Sequence, residues 1–73
     1  MMEFESFELQ IGKKIEAIRK IYEMEQTELC QKIRISDKEL DDYENGLEPI
    51  TLTHLYKITS VFNLSLSYFL KDW

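Results

Sequence analysis

Apolar residues recur through the first third of the chain at Leu9, Ile11, Ile15, Ile18 and Ile21/Tyr22. Most of the steps are three or four residues, which lays one apolar stripe along several helical turns. Lys13, Lys14, Glu16, Arg19 and Lys20 occupy the remaining positions. The pattern predicts a first helix over 9–22. Residues 1–8 set Phe4 and Phe7 among glutamates and read either as an arm or as an early turn of that helix. The expected organisation is an N-terminal arm, 1–8, followed by one helical domain, 9–73.

A second, shorter stripe of Leu29, Cys30 and Ile33 predicts a helix from about Gln26 to Ile33. The pattern breaks at Arg34-Ile35. Ser36 then precedes Asp37-Lys38-Glu39, and Ser with Glu three residues later is a capping-box signature. Asp37 and Glu39 also suit the positive end of a helix dipole. A third helix is expected over 37–44, with Leu40 and Tyr43 inward and Asn45-Gly46 as its stop. Beyond the Pro49 loop, Thr51 is a candidate cap for a fourth helix over 52–62. Leu52, Leu55, Ile58, Thr59 and Phe62 would share its inner face. Asn63 ends it, and Ser65 caps a short fifth helix over 66–70 carrying Leu66, Phe69 and Leu70. No alternation of strand type appears, so the expected class is all-α, a compact five-helix bundle with short connections.

The 73 residues allow one small domain. A composition of 44% hydrophobic and 32% charged residues is globular rather than disordered. Apolar runs stay far below the ~20 residues a bilayer span needs. The acidic start, Met1-Met2-Glu3-Phe4-Glu5, is not that of a secretory signal, so cytoplasmic residence is expected and no membrane association. The single cysteine, Cys30, has no internal disulfide partner and reads as a small buried residue. With His54 it makes only two candidates for a zinc site that takes about four ligands, so no metal is expected. One His, one Cys and the absence of a Gly-rich phosphate loop argue against an enzyme or a cofactor. No catalytic residue is assigned. The net charge of −5 bears on partners, because phosphate binding is carried by Lys and Arg on the contacting face.

Taken in order, Ile11-Gly12-Lys13-Lys14-Ile15 with Ile18-Arg19-Lys20, then Gln26-Thr27-Glu28-Leu29-Cys30, Ile35-Ser36, Leu40 and Tyr43-Glu44-Asn45-Gly46 form a spaced series of landmarks. Pro49 with Leu52, Leu55 and Ile58, and Leu64-Ser65-Leu66-Ser67-Tyr68-Phe69-Leu70, complete it. The series resembles the Cro and repressor (XRE-like) family of phage-repressor-type helix-turn-helix DNA-binding domains, from Ile11 to Leu70. The resemblance implies a buried Arg19–Glu44 ion pair. It also implies double-stranded DNA as partner, with Gln26 at the DNA backbone and Asp37, Lys38 and Asp42 reading bases in the major groove. By the same resemblance Asn45 contacts phosphate. Arg34, which the resemblance does not supply, is expected to reach phosphate as well.

The chain departs from the family pattern at the surface. Between Ser36 and Asn45, five carboxylates face one lysine, a net −4. Arg34 stands where the family usually has Gly, Glu25 where it has a Ser or Thr cap, and Glu23 where Gly often ends the first helix. One reading is a DNA-binding transcriptional regulator, expected as a homodimer. Tyr68 and Trp73 are its candidate dimer residues. Phe69 is expected in the core, and Trp73 stays open between core and dimer face. A second reading is a protein-interaction module whose acidic third helix docks on a basic partner or mimics DNA. A third is the antitoxin of a toxin–antitoxin pair.

Overall fold

The computed structural model describes residues 6–70. Five helices follow in order: α1 Phe7–Ile21, α2 Gln26–Ile33, α3 Asp37–Glu44, α4 Leu52–Val61 and α5 Ser67–Leu70. Among the described residues there is no strand, and none of the helices is long and apolar enough to cross a membrane.

The first helix begins two residues ahead of the expected start, because Ser6 caps it. Ser6 is extended (φ −64°, ψ 155°) and its Oγ accepts from Leu9 N at 3.0 Å, which satisfies one of the orphan N–H groups. Phe7 and Glu8 therefore belong to α1, and only residues 1–5 of the expected arm lie outside the described residues. Ser36 and Thr51 cap α3 and α4 the same way, accepting from Glu39 N and His54 N. The capping box at α3 closes on one side only. The Glu39 carboxylate accepts from Tyr43 Oη at 3.2 Å.

Left-handed residues close the helices. Glu23 (φ 54°) and Asn63 (φ 58°) follow α1 and α4, and Gly46 (φ 70°) follows α3. Each allows paired return bonds from its own amide and the next, as in Glu23 N to Lys20 O (3.0 Å) with Met24 N to Arg19 O (2.9 Å). At Gly46 a side chain is excluded twice over, by the positive φ and by Leu9 Cα 2.7 Å from where a Cβ would sit.

The core is Ile11, Ile15 and Ile18 of α1, Leu29, Cys30 and Ile33 of α2, Leu40 of α3, Leu55 and Ile58 of α4, and Phe62 and Phe69. The α2 helix packs on both α3 and α4, and α1 lies against α3 with α5 beside it. Three expected inward residues face out. Ile21 is 76% exposed, Tyr22 57% and Leu52 66%. The α1 stripe reaches the core only as far as Ile18, because the chain turns away there. Tyr22 keeps a ring contact with Phe62, centroids 5.1 Å apart. Leu52 is in the first turn of α4, ahead of the point where that helix meets the core.

The sharpest packing constraint is at Gly12. A Cβ at this position would overlap Tyr43 O and lie 2.8 Å from Glu44 O. The α1 backbone thus rests directly on the last turn of α3, and this contact aims the third helix.

Candidate nucleic-acid interface

The end of α3 is fastened by charge as well as by packing. Arg19 Nε donates to Glu44 Oε2 at 2.8 Å and Nη2 to Oε1 at 3.0 Å, a two-pronged contact with both side chains buried. Arg19 Nη1 donates to Met24 O at 2.9 Å, so the same guanidinium also holds the turn after α1. The hydrogen bond to Glu44 raises the Arg19 pKa further, against the effect of burial. Gln26 joins this cluster from the start of α2. Its Nε2 donates to Glu44 Oε1 at 2.9 Å and to Asp41 Oδ1 at 3.4 Å. Both amide hydrogens of Gln26 are thereby turned towards α3. The resemblance places this side chain at the DNA backbone; in the structure it also braces α2 against α3.

With the Gln26 side chain so engaged, the outward donors at this end are backbone groups. Glu25 is extended (φ −72°, ψ 154°) and makes no side-chain cap, so the first N–H groups of α2 have no side-chain acceptor. Such groups at a helix N-terminus suit phosphate. Glu25 and Glu28 stand exposed beside them and oppose it.

The exposed face of α3 carries Asp37, Lys38 and Asp41, with Glu39 and Asp42 half-buried. Lys38 Nζ lies 2.8 Å from Asp42 Oδ2, one turn along the helix. That hydrogen bond raises the Lys38 pKa. Of the five carboxylates, Glu44 is matched by Arg19 and Asp42 by Lys38, which leaves Asp37, Glu39 and Asp41. Asn45 donates from Nδ2 to Asp41 O at 2.8 Å and so closes the last turn of α3, on an exposed position.

Between α2 and α3 the chain turns at Arg34, which is left-handed (φ 64°, ψ 50°). Arg34 N and Ile35 N both donate to Cys30 O, at 2.7 and 3.1 Å. Arg34 itself is exposed. Cys30 is buried under the turn, its Sγ 3.5 Å from Ser36 O. Burial first, then Asp37, pushes its thiol up to about 11.

A link that sequence reasoning missed ties α3 to α4. Tyr43 Oη lies 2.7 Å from His54 Nδ1 and donates to Glu39 Oε2 at 3.2 Å. Burial and Glu39 raise the Tyr43 pKa to about 12. In the sequence His54 stands out only as a candidate zinc ligand; nothing local announces that it will meet a tyrosine eleven residues earlier. Among the described residues no group of three or more His, Cys, Asp or Glu side chains could hold a metal.

Of the two candidate dimer residues, Trp73 lies outside the described residues. Tyr68 is 40% exposed, with Lys14 Nζ 5.1 Å from its ring centroid and donating to its carbonyl at 2.9 Å. Phe69, beneath it, is fully buried.

A short helix, a three-residue turn and a second short helix, braced from behind by α1 and α4, define a helix-turn-helix domain of the DNA-binding kind. Residues 15–69 match the helix-turn-helix family, of Cro/C1 type, and the chain belongs to it. No curated protein matches the chain at a significant level.

Proposed function

We propose that the protein is a transcriptional regulator that binds double-stranded DNA as a homodimer in the cytoplasm, with α3 in the major groove and α2 across it. The observation that carries this reading is the way α3 is held. Gly12 seats it on α1, Arg19–Glu44 pins its end, Gln26 braces it to α2, and Ser36 caps its start. Its exposed first turn is thereby presented on a rigid support, as groove reading requires. Asp37, Lys38 and Asp42 are the base-facing residues of this reading. Carboxylates accept from cytosine N4, so the preferred sites are rich in cytosine. Arg34, Asn45 and the first amides of α2 contact phosphate. Tyr68 and Trp73 contribute to a dimer face that spaces two half-sites about one helical turn apart.

One observation favours a second reading. Lys38, the only cation on α3, is already matched by Asp42, so the helix offers three carboxylates and no free positive charge. A face of that kind suits a basic protein surface, either as a docking module or as a mimic of DNA charge.

Titration of the purified protein against random duplex DNA and against its own upstream region, at two salt concentrations, separates the readings. A regulator binds one sequence selectively, and its affinity falls steeply as salt rises. Lys38→Ala then removes selectivity while leaving the helical fold intact. Equal, weak binding to every duplex at low salt would shift the assignment to the protein-directed reading.

A further inference from the structure

The cations of this acidic chain are unevenly neutralised. Arg19, Lys20 and Lys38 each have a carboxylate within 4.0 Å. Lys32, Arg34 and Lys57 have none among the described residues. These three line one feature, an open groove of about 450 Å³ between the C-terminal end of α2 and the C-terminal half of α4. No Asp or Glu lines it. Its walls are not purely polar. Ile33 is buried beneath it, Val61 is half-buried, and the Tyr56 ring, 64% exposed, stands at its edge.

Two features of the groove select its occupant. Three unneutralised cations on a chain of net −5 concentrate positive potential in one place, which draws an acidic partner. The apolar surface of Val61 and Tyr56 gives nothing to a phosphate backbone but suits aliphatic and aromatic side chains on one face of a helix. Arg34 adds a conformational argument. It holds a left-handed backbone that costs about 1 kcal/mol for a residue with a Cβ, and that conformation places an arginine at the rim. The groove lies on the α4 side of α2, apart from the exposed face of α3.

We infer that the α2–α4 groove is a docking site for an acidic amphipathic helix of a partner protein, which sets Glu and Asp side chains against Lys32, Arg34 and Lys57 and apolar side chains against Val61 and Tyr56. This assignment does not rest on α3 entering DNA. If the protein binds DNA as proposed, Arg34 is shared between phosphate and the partner helix, so DNA and partner compete at this rim of the groove.

The test uses the full chain, isotope-labelled, and two synthetic peptides of identical composition. One carries Glu and Asp on one helical face and Leu and Phe on the other. The second is its scrambled isomer, with no apolar face. The first peptide should shift the backbone amides of Lys32, Ile33, Arg34, Tyr56, Lys57 and Val61, with an affinity that falls as salt rises. Lys32→Glu combined with Lys57→Glu, at two exposed positions, should weaken it at least ~10-fold with the helical spectrum unchanged. Four results overturn the assignment. They are equal binding of the scrambled isomer, shifts confined to other surfaces, tighter occupation of the same amides by random duplex DNA, and shifts at these amides that grow with protein concentration alone. The third would make the groove a phosphate tract and the fourth an interface between two copies of this chain.

Discussion

Arg19 and Glu44, 25 residues apart, meet in a two-pronged contact of 2.8 and 3.0 Å that joins the last turn of α1 to the last turn of α3. Both are buried, and Gln26 Nε2 and Met24 O complete the hydrogen bonding around them. Removing one partner leaves the other charged in a low-dielectric setting. Arg19→Ala should therefore cost about 3–5 kcal/mol in denaturant unfolding. The double replacement Arg19→Met with Glu44→Leu should recover most of that loss, because neither charge is then stranded.

Gly12 gives a prediction whose sign is opposite to helix propensity. In an exposed helix, Gly→Ala stabilises by about 1 kcal/mol. Here the added methyl overlaps Tyr43 O and crowds Glu44 O, both backbone atoms that cannot swing aside. Gly12→Ala should destabilise by about 1–3 kcal/mol as α1 is forced off α3. A thermal or urea melt reads the sign directly.

At Arg34 the backbone is left-handed, and a glycine there carries no Cβ penalty. Arg34→Gly should raise stability by about 1 kcal/mol, seen as a higher denaturation midpoint at unchanged slope. The same substitution should weaken binding of the acidic amphipathic peptide, so stability and partner affinity move in opposite directions.

Cys30 and Tyr43 make stability fall in alkali. The thiol, ordinarily near 9.0, is held protonated up to about 11 by burial, and the phenol, ordinarily near 10.0, up to about 12. Both folded-state values are raised, so the unfolded chain loses these protons first. Their contribution is complete below the ordinary values. It is lost as pH rises from 9.0 to about 11 for Cys30 and from 10.0 to about 12 for Tyr43. Denaturant melts at a series of alkaline pH values should show this decline, and a variant with Cys30→Ala and Tyr43→Phe should flatten it. At neutral pH, thiol labelling of Cys30 should proceed only as fast as the protein opens.

The acidic face of α3 sets the last expectation. Asp37→Asn with Asp41→Asn removes two of its three unmatched carboxylates. Affinity for random duplex DNA at low salt should rise about tenfold as the repulsion falls. Titrating wild type and variant against the same random duplex checks this. An unchanged affinity would mean that α3 does not face the phosphates.

The sequence by itself determined the number and order of the helices and, apart from the start of α1, their limits to within about one residue. The information was local: helical spacing of Ile and Leu, Ser36 and Thr51 as caps, and Asn45-Gly46 as a stop are read within a few residues of where they act. The early start of α1 was also local, in Ser6, but lay within a stretch whose glutamates and phenylalanines suited an arm equally well. The tertiary structure alone decided which side chains are spent holding the fold and which are left to bind. Gln26, an expected DNA contact, turns its amide to Glu44 and Asp41. Lys38 is matched by Asp42, His54 meets Tyr43, and Ile21 and Leu52 emerge where their helices leave the core. Lys57, on α4, comes beside Lys32 and Arg34 around one groove. The physical reason is that a side chain's availability depends on the charges and donors that other helices bring within about 3 Å, a distance set by packing rather than by neighbours in sequence.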